Sequence, residues 1–182
     1  MGTNKQLMQA GEWYIADDPE LGADTERRIA LCAAYNAESG SAEQRTVLAE
    51  LLGGLGEGAW VRAPFRCDYG YNITIGPRTF VNFNAVMLDA APIVVGADVQ
   101  IGPNVQLLTP NHELDTERRR AGWEIALPVT IGDNVWLGGG VIVCPGVTIG
   151  ENTVVGAGSV VTRDLPAGVL AVGNPARIVR TL

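Results

Sequence analysis

The chain has 182 residues, 47% of them hydrophobic, which suits one domain with a modest appendage and a real core. Its net charge of −7 argues against nucleic acid as a partner, and no apolar run approaches the length of a membrane span. Met1-Gly2-Thr3-Asn4-Lys5-Gln6 lacks the apolar stretch of a secretory signal, and Cys32, Cys67 and Cys144 are too far apart for a metal-ligand motif, so a cytoplasmic protein with reduced thiols is expected.

Residues 1–57 read as helical and carry ten acidic side chains against four basic ones. Asp18-Pro19-Glu20 is a helix start: a capping carboxylate, proline in the first turn, then an acid near the positive end of the dipole. Ser41 and Gln44 have the spacing of a capping box, and Val47, Leu48, Leu51, Leu52 and Leu55 follow as an apolar stripe at helical spacing. Gly53-Gly54 and Gly56 end that helix. The segment is too small for a core of its own and must pack on the rest of the chain or on a second copy.

From residue 58 the pattern changes to a period of six. Tyr69, Ile75, Val81 and Met87 are six apart; Val95, Ile101 and Leu107 resume after a two-residue slip around Asp89-Ala90-Ala91-Pro92. Ile131, Leu137, Val143, Ile149, Val155 and Val161 continue it without interruption. A fixed hexapeptide period predicts a parallel β-helix, each repeat being one short strand and a corner. Val99, Val135, Val141, Val147, Thr153 and Ser159, two residues before the aliphatic positions, are small or β-branched and suit inward-facing corners. Gly, Asn, Asp and Pro between them turn the chain cheaply. Residues 108–128 break the period and are expected to loop out from one face, where binding residues concentrate. The repeats end near residue 166, and Gly173-Asn174-Pro175-Ala176-Arg177 reads as a turn closing the last coil.

His112 is the sole histidine and lies in that insertion, after Pro110-Asn111, a turn able to fix its orientation. A lone histidine is usually an unimportant surface residue. This one is carried by the one long irregular segment of a stiff solenoid, and imidazole titrates near neutrality, as a general base must. A single histidine also excludes the zinc hydratases built on this repeat, and no Gly-x-Ser-x-Gly or nucleotide phosphate loop is present. Asn82, in a glycine-like position, is either a hydroxyl-binding amide or a corner asparagine in left-handed backbone. Trp136 faces outward by the period, as an interface residue or a flat wall for a ligand. Glu124 and Asp89 flank the irregular segments and either orient His112, bind hydroxyls or are plain surface acids. Arg163, Arg177 and Arg180 make the C-terminal end locally basic and, as a group, suit an anionic ligand.

Ala10-Gly11-Glu12 with Tyr14, the stretch Phe65-Arg66-Cys67-Asp68-Tyr69-Gly70-Tyr71-Asn72-Ile73, Val81-Asn82-Phe83-Asn84, Ile131-Gly132-Asp133-Asn134-Val135-Trp136-Leu137-Gly138-Gly139 and Gly173-Asn174-Pro175-Ala176-Arg177 together resemble the maltose and galactoside O-acetyltransferases, the maltose type most of all. The hexapeptides alone are shared by many acyltransferases; the Asp68–Asn72 stretch and the helical N-terminus are the specific part. The resemblance implies a mainly β, left-handed parallel β-helix over residues 58–182 behind a helical segment at 1–57, and a homotrimer with acetyl-CoA in a cleft between two subunits. It implies His112 as the catalytic base and Asn82 as a contact to the acceptor from the neighbouring subunit. Asp68, Glu124 and Asp17 or Asp18 fall at acceptor positions, and Trp136, Gly139, Ala157, Thr162, Arg163, Arg177 and Arg180 along the CoA channel. Thr25 stands where the family carries an acceptor-reaching arginine, with Arg27 and Arg28 nearby. The expected reaction is metal-free acetyl transfer to a sugar hydroxyl such as one of maltose or glucose, with a backbone N–H near Gly139 stabilising the oxyanion. The alternatives are a related transferase acting on a lipo-oligosaccharide, an antibiotic or an amine, and a non-catalytic binding β-helix.

Overall fold

The computed structural model describes residues 3–37 and 42–182. The capping box expected at Ser41 and Gln44 therefore falls partly outside the described residues. Helix α1 (Asn4–Gln9) has its own capping box, with Thr3 and Gln6 bonding each other's backbone N–H. Helix α2 (Pro19–Ala37) begins at the expected proline, and the Asp18 carboxylate accepts from the Glu20 N–H at 2.8 Å. Helix α3 (Ala42–Leu51) buries Leu48 and Leu51 of the predicted stripe and stops before Gly53.

Behind the helices the chain winds into a left-handed parallel β-helix of about six coils with three flat faces. Each coil visits the faces in the same order. The first face stacks Gly54–Leu55, Ile73–Ile75, Ile93–Val95, Val129–Ile131 and Thr148–Ile149. The second stacks Trp60–Val61, Phe80–Val81, Gln100–Ile101, Trp136–Leu137, Val154–Val155 and Val169–Val172, and the third Phe65–Cys67, Ala85–Leu88, Gln106–Leu108, Ile142–Val143 and Val160–Val161. The first strand, Gly54–Leu55, already lies inside the segment read as helical. After the turn at 173–176 the chain reverses, and Arg177–Thr181 runs antiparallel to the last strand of the second face.

The six-residue period works because two residues per face alternate out and in. Ile131, Leu137, Val143, Ile149, Val155 and Val161 are at most 1% exposed, and so are Val99, Val135, Val141, Thr153 and Ser159 at the corners. Truncating Leu137 to Ala in such a column costs about 2–5 kcal/mol. Tyr69 departs from the expected series. Strand register pairs Cys67 with Met87, so Cys67 fills the inward position and Tyr69 belongs to the corner after it. Both early corners between the third and first faces carry two extra residues, which is the physical origin of the slip.

Those long corners are where the helical arm docks. Met8, Tyr14, Leu21, Tyr69, Ala90, Ala91 and Ala126 form a second apolar cluster apart from the prism core. The Tyr71 hydroxyl donates to Asp24 of α2 at 2.9 Å, and Lys5 of α1 pairs with the same carboxylate at 2.8 Å. Cys32 of α2 and Cys67 of the third face are buried with their sulfurs 3.7 Å apart.

Candidate active site

The insertion at 108–128 is more ordered than a loop. Pro110–His112 and Trp123–Ala126 pair antiparallel, helix α4 (Thr116–Arg120) caps the tip, and Tyr14–Ile15 of the arm adds a third strand. The Pro110-Asn111 turn expected before His112 is thus a strand. The Asp115 side chain accepts from the N–H groups of Glu117 and Arg118 and starts α4. Arg118 lies between the rings of Trp13 and Trp123, 5.4 and 5.2 Å from their centroids, and pairs with Glu113 at 3.0 Å. The hairpin is therefore bolted to the arm at both edge and tip.

His112 is held on that sheet with its ring 63% exposed. Its cross-strand partner is Glu124, whose own partner on the other side is Tyr14. Glu124 Oε1 lies 3.7 Å from His112 Nδ1, longer than a hydrogen bond, and Oε2 accepts from the Tyr14 hydroxyl at 3.1 Å. The tyrosine is 1% exposed. Burial and the charge of Glu124 push its phenol well above the ordinary tyrosine range, so it stays a donor.

Asp68 opens the long corner one coil below Asp89, on the same edge of the prism as the hairpin. Burial, with the neighbouring charges of Asp89 and Glu124, pushes its carboxyl up to about 6, against the opposing pull of Arg28. Arg28 Nε donates to the Asp68 carbonyl at 3.0 Å, so a cation reaches this corner from α2 although Thr25 is not one. Because the folded state favours protonated Asp68, stability falls as pH rises from about 4 to about 6 and stays lowered above that. Asp68→Asn is expected to raise the melting temperature in neutral buffer and to melt like the parent below about pH 4.

Asp89 is not a ligand-binding acid. It is 0% exposed and accepts the N–H groups of Asp68, Tyr69, Gly70 and Asn72 at 2.7–3.2 Å. Burial pushes its carboxyl up while those four bonds pull it down. Asp18 is occupied at the start of α2, whereas Asp17 is exposed and bonded through its side chain to Asn4 at 3.3 Å. Asn82 does sit in a glycine column: Asn82 N bonds Ile101 O, Gly102 N bonds Leu137 O and Gly138 N bonds Val155 O, one corner above another. The left-handed residue there is Asn84, with φ 62°, so the corner-asparagine reading belongs to Asn84. The Asn82 Oδ1 accepts from Phe83 N at 2.9 Å.

The candidates divide between two edges of the prism. His112, Asp68, Glu124, Thr162 and Arg163 lie where the third face turns into the first. Asn82, Gly139 and Ala157 lie where the second turns into the third. Trp136, 56% exposed, stands on the second face, and Arg177 and Arg180 sit on the exposed last strand at its end. One chain thus keeps His112 and Asn82 on opposite borders of its third face. The Gly139 N–H donates to no acceptor among the described residues. Tyr14 and Arg28 escape a reading by spacing because their partners Glu124 and Asp68 are far away in sequence.

A stiff parallel prism with one exposed imidazole on a side hairpin has the architecture of the β-helix acyltransferases. The profile described as "Bacterial transferase hexapeptide (six repeats)" matches residues 128–163, and "Maltose acetyltransferase hexapeptide capping motif" matches residues 7–56. Nodulation protein L of Rhizobium meliloti (strain 1021) is 52% identical over 97% of this chain and 97% of its own. The crystal structure of a maltose O-acetyltransferase from Clostridium difficile 630 superposes with a TM-score of 0.97 at 42% identity, covering 100% of this chain and 98% of that one. A hexapeptide-repeat acetyltransferase of Vibrio cholerae O1 biovar eltor, complexed with acetyl coenzyme A, gives 0.94 at 42% identity, covering 100% and 99%. The chain belongs to the hexapeptide-repeat acetyltransferases, in the group of the maltose and galactoside O-acetyltransferases.

Proposed function

We propose that this acetyltransferase moves the acetyl group of acetyl-CoA to a hydroxyl of a sugar, with His112 as general base. The observation that carries the reading is the placement of the sole imidazole on a braced three-stranded sheet at a prism edge. His112 takes the hydroxyl proton as that oxygen attacks the thioester carbonyl, and returns it to the departing thiolate. The unengaged Gly139 N–H is suited to the oxyanion. Asp68, Asp17 and the Asn82 carboxamide are polar groups suited to the acceptor's other hydroxyls. The exposed Trp136 ring, the Gly139 and Ala157 corner, Thr162, Arg163, Arg177 and Arg180 suit a long anionic cosubstrate carrying a purine.

The split of candidates between two edges favours a site shared by neighbouring copies: His112 and Asp68 from one, Asn82 and Gly139 from the next. Cyclic closure of identical chains makes one such site per interface, and a trimer is the ring that the family resemblance implies. A maltose O-acetyltransferase among the superposable structures supports a sugar acceptor. The test is a panel of acceptors assayed by release of the CoA thiol. Maltose, glucose and galactosides are expected to support turnover above the hydrolytic background, and amines are not. Turnover only with a non-sugar acceptor would refute the sugar reading while leaving acetyl transfer intact.

A further inference from the structure

The row Tyr14–Glu124–His112 crosses three strands drawn from two remote parts of the chain, and the pairing of Tyr14 with the other two could not be placed by sequence spacing. Tyr14 comes from the arm, Glu124 and His112 from the two strands of the hairpin, and strand register puts the three side chains side by side. One oxygen of Glu124 is committed and the other faces the ring: Oε2 accepts from the buried phenol at 3.1 Å, and Oε1 lies 3.7 Å from the imidazole Nδ1, beyond hydrogen-bond length. A carboxylate pinned on one side in this way has less freedom to bind an acceptor hydroxyl, the role the family resemblance implies for it, and suits the other reading its place beside the insertion left open, that it orients His112.

We infer that Glu124 and Tyr14 are positioning residues: the arm's phenol aims the carboxylate so that it holds the His112 ring with its Nδ1–H inward and its Nε2 lone pair free. The chemistry requires an order. A carboxylate only accepts, so the nitrogen facing it must be the donor, and Nε2 is left unprotonated to take the hydroxyl proton. Tyr14 can only donate to Glu124, because its phenol is buried and protonated. It fixes the carboxylate rotamer that an exposed glutamate would otherwise lose to water. The separation of 3.7 Å is within the range over which catalytic hydrogen bonds tighten in a Michaelis complex. The N-terminal segment thereby becomes part of the catalytic apparatus rather than a cap on the prism.

The inference rests on His112 being the base, and the test separates the two. Because the chain has one histidine, labelling with ¹⁵N-histidine gives a single imidazole whose two nitrogens report the tautomer directly. In mildly alkaline buffer the parent protein should show Nδ1–H as the main neutral form, opposite to free imidazole. Tyr14→Phe keeps the ring's volume and removes only the hydroxyl. It should shift the spectrum towards Nε2–H and lower kcat roughly tenfold, with the KM for acetyl-CoA unchanged. Glu124→Gln turns an amide N–H at Nδ1, should invert the tautomer, and should lower kcat about 10²-fold. The double variant should be no slower than Glu124→Gln, since both act through one carboxylate. A parent spectrum dominated by Nε2–H, or a Tyr14→Phe spectrum and kcat equal to the parent's, overturns the inference. Full turnover in His112→Ala would instead overturn the proposed function.

Discussion

His112→Ala is expected to lose about 10²–10⁴-fold in kcat, the typical share of a positioned general base. The variant should still fold and assemble, since the ring is exposed and packs against little beyond Glu124. Its affinity for CoA should be close to that of the parent, because the groups suited to the nucleotide and phosphates, on the second face and its corner and at Thr162 and Arg163, are separate from the imidazole. Steady-state release of the CoA thiol and calorimetric titration of CoA check the two halves separately. Loss of turnover with retained binding is the expected pair. Near-normal turnover would remove His112 from the chemistry. No binding of CoA by the parent protein would favour a non-catalytic β-helix.

The largest effect on stability is expected at Asp89, away from the reacting groups. Its carboxylate is the common acceptor for four backbone N–H groups of the corner Asp68–Asn72. Each buried donor left unpaired costs about 1–3 kcal/mol, and water entering the gap left by Ala relieves only some of them. Asp89→Ala should therefore destabilise by about 4 kcal/mol, which lowers the melting temperature by roughly 10 °C for a chain of this size. Acceptor KM should rise as well, since Asp68 is carried by that corner. Asp98→Asn is the control, because Asp98 lies at φ 59°, where asparagine is tolerated and alanine would add backbone strain. Asp98 makes a two-pronged pair with Arg78 on the open surface, and its loss should leave the melting curve close to the parent's. Equal melting of the two variants would contradict the role given to Asp89.

Asp89 also marks where reading the sequence stops. The prism was legible because its physics is local: a two-residue strand, one inward aliphatic and a corner repeat every six residues, so spacing alone gives the inward column. The insertion was legible as a break in that period, and His112 by its rarity. What spacing cannot carry is pairing between remote segments. Tyr14 and Glu124 are 110 residues apart and meet only because the arm contributes a strand to the hairpin. Asp89 and Asp68 look alike as acids near irregular corners, yet one is sealed under four N–H groups and the other is a half-buried carboxyl that burial pushes up to about 6. Tyr69 matched the six-residue count by coincidence, since the two extra residues of its corner move the true inward position to Cys67. The sequence features most specific to the resemblance, the Asp68–Asn72 stretch and the helical start, turn out to be one unit: Tyr71, Asp24 and Lys5 tie them together.

The central claim is a site completed by two copies, with His112 from one and Asn82 from its neighbour. The most direct measurement is complementation between His112→Ala and Asn82→Ala chains co-expressed in equal amounts, with each variant alone as reference. In a closed ring assembled at random, about a quarter of interfaces pair an intact His112 with an intact Asn82, so about a quarter of the parent's specific activity should return. Activity no greater than the mean of the two separate variants, in an assembly verified to be mixed, would contradict the shared site.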